Sequence, residues 1–333
     1  MKHIQAPKKL AVISDLTGYG RCSMTVALPV ISALQVQACP VPTAIFSNHT
    51  AFPTWYTDDY TSHIPDYLHG WEQLGLTFDG IYSSFLGSVT QADIVADFIR
   101  RQKEHSGNVR IIVDPVMGDH GKAYATITPD LCHALRTLVS MADLITPNLT
   151  EACLLTNSDY VLYQDAAKDS IRMDELIHKL AALGPKQIVI TGIPVQDRLR
   201  NLIYDHGCIS AYETPVKGEG RPGTGDLFAS IIASCAVRAY PFADAVKLAA
   251  DFIGICTNAS HEAGIPVTEG VCFEYFLSEL HLDLPHGADQ GSHLVGDTAG
   301  DAGVDFIENH RRHIGISCHY SLETEHNTRQ FAS

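Results

Sequence analysis

Gly218-Glu219-Gly220-Arg221-Pro222-Gly223-Thr224-Gly225-Asp226-Leu227-Phe228 is a glycine-rich loop that runs directly into an apolar helical pattern. Glycines let the backbone turn tightly and point successive N–H groups inward, and a helix N-terminus adds partial positive charge, so the pair makes an anion site. Glycine content alone leaves a second reading open, in which the loop is a plain connection and Asp226 caps the helix. No G-x-x-x-x-G-K-[ST] segment occurs anywhere in the chain, so any phosphate chemistry here is not of the P-loop type.

Upstream of the loop, short β-branched or apolar runs alternate with helical patterns: 10–14, 79–83, 109–113, 143–146 and 187–191. That alternation predicts crossover units and a mostly parallel central sheet covered by helices, a three-layer α/β/α sandwich. Thr90 is expected to cap a helix over 91–103, and Thr128 followed by Pro129 to open one over 130–139. A helix over 173–183 stops at Gly184-Pro185. The runs 201–204 and 208–212, with Asp205-His206-Gly207 between them, predict an antiparallel hairpin at one sheet edge.

Downstream, 226–237 and 242–259 are apolar around much of their circumference, which predicts two helices packed between the sheet and other helices. The last amphipathic helix is expected at 273–281. From about residue 285 the periodicity fails, and Gly, Asp, His and Ser dominate. One domain over 8–284 and a disordered tail over 285–333 are therefore expected.

Composition narrows the partners. With 45% hydrophobic and 18% charged residues over 333 positions, the chain can bury a large core. A formal charge of −15 with no local basic patch excludes nucleic acid as the expected partner. Nine cysteines without a C-x-x-C pair fit neither a disulfide framework nor a zinc ribbon, so reduced, mostly buried thiols are expected. No apolar run is long enough for a signal peptide or a membrane span, and a cytoplasmic location is the expectation.

In open parallel sheets ligands bind at the carboxyl ends of strands, so the polar residues just after each apolar run are the candidates. They are Ser14 and Asp15, Asp114, then Thr146, Pro147 and Asn148, and finally Thr191. Each by itself could be a turn or cap residue. Four strand ends in one chain are harder to dismiss.

The segment 222–228 resembles the G-T-G-D signature of the ribokinase-like superfamily. Asp114-Pro115-Val116-Met117-Gly118 and Thr146-Pro147-Asn148-Leu149-Thr150-Glu151 resemble the D-P-V-x-G and T-P-N-x-x-E elements of its pyridoxal and hydroxymethylpyrimidine kinase branch. Phe46-Ser47-Asn48-His49-Thr50 is similar to the F-S-N-H-T segment of pyridoxal kinases. The resemblance covers roughly residues 8–284, with the motifs in order.

It implies ATP-dependent phosphorylation of the 5′-hydroxymethyl group of pyridoxal, pyridoxamine or pyridoxine. Asp226 would be the base, and Gly223, Thr224 and Gly225 would form the anion hole. Asp114 and Glu151 would hold Mg2+, and Thr146, Asn148 and Thr191 would contact nucleotide phosphates. A monovalent cation such as K+ is compatible with it. Two carboxylates suit a hard divalent cation that offsets phosphate charge. On the acceptor side, Ser14 would meet the pyridine nitrogen or ring hydroxyl, with Thr50 and His49 over the ring and Phe85 tuning the pocket. A homodimer is implied as well. Two positions depart from the pyridoxal kinase pattern. Ser14 is followed by Asp15 where a histidine is usual, as in hydroxymethylpyrimidine kinases, and Phe85 stands where a tyrosine is common. A hydroxymethylpyrimidine kinase, or a catalytically silent vitamer-binding regulator, are the competing expectations. The tail histidines belong to no part of the resemblance.

Overall fold

A computed structural model describes residues 6–164, 170–216 and 218–282. The tail expected over 285–333 lies outside the described residues. The strands are β1 (Lys8–Tyr19), β2 (Val36–Asn48), β3 (Thr57–Asp59), β4 (Gly80–Ser83), β5 (Arg110–Val113), β6 (Gly118–Asp119), β7 (Lys122–Ala123), β8 (Leu144–Ile145), β9 (Gln187–Val195), β10 (Arg198–Asp205) and β11 (Cys208–Pro215). The helices are α1 (Met24–Ala33), α2 (Ile64–Gln73), α3 (Val89–Ser106), α4 (Pro129–Met141), α5 (Leu149–Thr156), α6 (Val161–Gln164), α7 (Ser170–Ala181), α8 (Thr224–Val237) and α9 (Phe242–Glu262).

All strands except β6 and β7 form one sheet in the order β11-β10-β9-β8-β5-β4-β1-β2-β3. Pairing is parallel from β2 through β1, β4, β5 and β8 to β9, and antiparallel at the two margins. Leu10, Ala11, Val12 and Ile13 explain why β1 is central. All four are fully buried, and alternate side chains enter opposite cores, Ala11 and Ile13 on one face and Leu10 and Val12 on the other. The first core is filled from α3, α4, α5 and α7, and the second from α1, α8 and α9. This is the α/β/α sandwich expected.

Local signals hold in several places. The Thr128 side chain accepts from Leu131 N, with Pro129 opening α4. β10 and β11 pair antiparallel with Asp205 opposite Cys208, leaving His206-Gly207 as a two-residue turn. The eight cysteines among the described residues are free, and five of them are buried. Among the described residues no helix is long and apolar enough to cross a membrane.

Other expectations are corrected. The cap of α3 is Ser88, not Thr90: Ser88 is extended and its hydroxyl accepts from Gln91 N, while the Gln91 side chain accepts from Gly87 N. With Ser88 holding the Gln91 N–H and the Gln91 side chain holding the N–H of Gly87, just ahead of the cap, the start is fixed two residues earlier. The segment 273–281 is a 3-10 turn over Glu274–Glu279 instead of an amphipathic α-helix. It is held at its start by the Arg21–Glu274 ion pair and at its end by buried Leu280, and it bridges that gap with i→i+3 bonds. β2, the longest strand, was not anticipated because Pro40 and Pro42 interrupt its pattern. Both prolines lie outside the stretch 44–46 that pairs with β3, so each is on an uncovered margin where a missing N–H costs nothing.

Gly80 marks how tightly α8 sits on the sheet. A Cβ there would lie 2.4 Å from Val237 Cγ1 and 3.0 Å from Leu10 Cδ1. Gly80→Ala should therefore destabilise the fold by about 1–3 kcal/mol through overpacking. A urea midpoint equal to wild type would show that the helix yields instead.

Candidate active site

The anion loop is placed by one contact. Gly223 is the N-cap of α8 with φ 86°, and a Cβ on it would lie 1.9 Å from the Arg21 carbonyl oxygen. Only glycine permits that approach, so the loop lies against the Arg21-Cys22-Ser23 turn that follows β1. The first intrahelical bond, Leu227 N to Gly223 O at 2.9 Å, leaves the N–H groups of Thr224, Gly225 and Asp226 available to an anion. Buried Arg221 supports the loop from below, donating to the carbonyls of Pro266 at 3.2 Å and Gly270 at 3.3 Å.

Asp226 occupies the first turn of α8, beyond the cap position, and the helix has no side-chain cap bond. The plain capping reading of this residue therefore has no support in the geometry. Burial pushes its carboxyl up to about 7. The Ser23 backbone N–H opposes that rise, and the charges of Asp15 and Asp114 add to it. A carboxylate poised near neutrality at a helix N-terminus, beside free N–H groups, can take a proton from a hydroxyl.

Asp114 directly follows β5 in the centre of the sheet. It is buried, accepts from the Thr146 hydroxyl at 2.8 Å, and is raised to about 7 by burial. Asn148 and Glu151 form a capping box at the start of α5: Asn148 Oδ1 accepts from Glu151 N at 3.0 Å and Glu151 Oε2 from Asn148 N at 2.8 Å. Glu151 Oε1 also accepts from Met117 N at 3.1 Å. Burial and the Asp114 charge push Glu151 well above the usual carboxylate range. The Asn148 amide donates to Gly118 O at 2.8 Å, tying α5 to the β6–β7 hairpin, and Thr191 N donates to Pro147 O at 2.9 Å. Asp114, Thr146, Asn148, Glu151 and Thr191 thus form one connected group beside the ends of β5 and β8, with Thr191 inside β9, which runs on to Val195 instead of ending there. Two carboxylates with one bonded contact already on each used oxygen suit a cation that brings most of its own ligands, as water and phosphate.

On the β1 side, Ser14 is buried and its hydroxyl lies 3.4 Å from Asp15 Oδ1, which it reaches as donor. Phe85 is half-buried and meets Phe46 edge-on at 6.0 Å between ring centres. His49 and Thr50 follow β2. His49 Nε2 lies 2.7 Å from the Thr268 carbonyl, and its ring is 4.7 Å from that of Phe52. Thr50 is exposed. The geometry gathers Ser14, Asp114 and Asp226 around the strand ends. It gives His49 a backbone partner and puts Thr50 at the margin.

Three residues without an expected role also face the site. Asp15 is a buried carboxyl whose charge acts on Asp226, Ser23 supplies its N–H to the same carboxylate, and Tyr124 is raised by burial and by Glu151, Asp119, Asp114 and Asp226. Asp15 was visible as a polar residue after an apolar run, but the strand does not end there: β1 continues to Tyr19, with a register shift against β2 between Ser14 and Leu16. Ser23 acts through its backbone at φ 56°, and no side-chain pattern reports that.

The family model described as phosphomethylpyrimidine kinase matches residues 28–269. A Bacteroides thetaiotaomicron protein described as a phosphomethylpyrimidine kinase, crystallised with pyridoxal, is 33% identical, with a TM-score of 0.78 over 84% of this chain and 97% of that one. Pyridoxal kinase PdxY of Leifsonia xyli is 28% identical over 69% of this chain and 81% of its own length. Pyridoxal kinase of Arabidopsis thaliana is 31% identical over 47% of this chain, a match that spans 48% of the plant protein.

The raised carboxyls carry a stability cost with a definite sign. A folded-state value of about 7 for Asp226, above the ordinary 3.8, means that its favourable contribution is complete in acid and is lost as pH rises toward 7. Without nucleotide or divalent cation, Asp226→Asn should therefore be more stable than wild type at pH 8. The gain is on the order of 1–3 kcal/mol, reduced by the partial access of water. The difference should vanish near pH 4. Thermal melts at both pH values check it, and equal melting temperatures at pH 8 would contradict it.

Proposed function

The chain belongs to the phosphomethylpyrimidine kinase family, alongside the pyridoxal kinases of the ribokinase-like fold, and from that premise we propose that it uses ATP to phosphorylate the 5′-hydroxymethyl group of pyridoxal-type vitamers. The observation that carries the reading is the placement of Asp226: it sits on the first turn of α8, next to free loop N–H groups, with its carboxyl raised to about 7. Asp226 takes the proton of the acceptor hydroxyl as it attacks. The backbone of 223–225 with the free N–H groups of Thr224, Gly225 and Asp226, together with the α8 dipole, holds the transferring phosphoryl group and stabilises the charge that develops on it.

The nucleotide enters with Mg2+ as part of the substrate. Asp114 and Glu151 face the cation directly or through water, and Thr146, Asn148 and Thr191 line the phosphates. A cation at this position would also favour the charged forms of the two carboxyls that burial disfavours. Ser14 orients the ring from β1, Phe85 borders it, and His49 with Thr50 closes the outer side. The curated relatives matched are pyridoxal kinases, which favours the vitamers over hydroxymethylpyrimidine as acceptor.

ATP consumption measured side by side with pyridoxal, pyridoxamine, pyridoxine and hydroxymethylpyrimidine should give the higher kcat/KM with a vitamer. In the same assay Asp226→Asn should lower kcat by about 10²- to 10⁴-fold, and Asp114→Ala should raise KM for Mg-ATP more than KM for the vitamer. A preference for hydroxymethylpyrimidine over all three vitamers would transfer the reading to the thiamine-type acceptor, and an unaltered kcat in Asp226→Asn would remove the base.

A homodimer belongs to the same reading. Leu16 and Ile45, paired across β1 and β2, are exposed together with Tyr19, Trp55 and Tyr56, an apolar margin suited to a second copy. Sedimentation equilibrium should give twice the chain mass, and a monomer at micromolar concentration would count against it.

A further inference from the structure

Asp15 is a buried acid for which the described residues supply no countercharge. It is 5% exposed. Its oxygens receive only uncharged donors, the hydroxyls of Thr17 at 2.7 Å, Ser14 at 3.4 Å and Ser23, and its own backbone N–H. No Lys, Arg or His among the described residues pairs with it. The arginines of the two adjoining segments are turned elsewhere. Arg21 binds Glu274 at 2.6 Å and the Glu269 carbonyl at 3.1 Å, and Arg221 binds the carbonyls of Pro266 and Gly270. A buried carboxyl with neutral partners alone is left above its ordinary pKa by desolvation, and a buried charge of this kind is offset by a paired cation.

Its location says where that cation would come from. The charge of Asp15 weighs on Asp226 more than that of Asp114 does. Cys22 is pushed up to about 12 by burial and by the charges of both acids. The Ser14 hydroxyl touches Asp15 directly. Asp15 therefore touches the serine assigned to the ring and shares Ser23 with the base that meets the 5′-hydroxyl. The ring substituent next to the 5′-hydroxymethyl group is the 4′ group, which is an aldehyde in pyridoxal, a hydroxymethyl in pyridoxine and a protonated aminomethyl in pyridoxamine. Only the last carries a positive charge.

Resting on the kinase reading above, we propose that Asp15 is a specificity-determining residue that pairs with the 4′-ammonium of the acceptor, so that the enzyme favours the amine vitamer over the aldehyde and the alcohol. The ammonium supplies the missing countercharge on binding, and a charge-assisted hydrogen bond in a dry pocket is stronger than a neutral one. Pyridoxine, nearly the same size, leaves the acid unpaired.

The test compares wild type with Asp15→Asn for all three vitamers at saturating Mg-ATP. The amide keeps the shape and can still accept from Thr17. The variant should lose about ten- to a hundredfold in kcat/KM for pyridoxamine and change less than about threefold for pyridoxal and pyridoxine. An equal fall for all three, or no fall for pyridoxamine, overturns the proposal and leaves Asp15 as part of the β1 end. Calorimetric binding of pyridoxamine and pyridoxine to wild type gives a second measurement that needs neither turnover nor a folded variant. Tighter binding of the amine supports the proposal, and equal or weaker binding overturns it. Failure of wild type to phosphorylate any vitamer strikes the kinase reading instead, and the calorimetric comparison still decides the role of Asp15.

Discussion

The site depends on the contact between Gly223 and the carbonyl of Arg21. One sits at the start of the eighth helix and the other just past the first strand, more than two hundred positions apart in sequence. Because no side chain fits between them, the helix N-terminus is held against the strand end, and the N–H groups that would hold an anion are brought beside the residues that follow β1. The Ser23 N–H then reaches Asp226 from the same turn. Without that approach the glycine-rich loop would be an exposed connection, and its donors would face water instead of a cleft.

The electrostatics of the cleft follow from where the strands end. Central strands finish in a layer that helices have already sealed from below, so the polar residues after them are desolvated before any ligand arrives. Asp15, Asp114, Glu151 and Asp226 all stand above their ordinary pKa values, burial being the largest cause in each. Four acids raised by burial in one region, three of them buried and Asp226 half-buried, destabilise the empty protein at neutral pH. They are the groups that a metal nucleotide and a cationic acceptor would compensate, so the free energy withheld from folding is available to binding.

Much of this was legible in the sequence because its signals are local. The alternation of apolar runs with helical patterns reports a sandwich, and the polar residues after those runs report the strand ends at Asp114 and Thr146 but not at Asp15 or Thr191, past which β1 and β9 continue. Thr128-Pro129 and His206-Gly207 behave as their local chemistry requires. What was not legible depends on distant contacts. β2 was hidden by two prolines whose tolerance depends on how far β3 extends beside it. The start of α3 turned on the Gln91 side chain accepting from the N–H of Gly87, ahead of the Ser88 cap. The segment 273–281 has helical spacing but is drawn tight by Arg21, a residue from the other end of the domain. Within the site, the glycine loop and the strand-end acids could be read as residue types, whereas the part taken by Ser23 is a backbone donor in an unusual conformation and leaves no mark on composition.

The prolines of β2 have a consequence beyond this chain's own pairing. A long strand at the margin of a sheet normally offers a row of unsatisfied amides to any extended segment that drifts past, which is how native proteins seed ordered aggregates. Over the part of β2 that β3 leaves uncovered, Pro40 and Pro42 have no amide hydrogen to offer, so a foreign strand laid there would find gaps in its ladder. The same substitutions that obscured the strand from sequence reading also guard it, at the crowded concentrations where a protein is synthesised, against being copied onto by its neighbours.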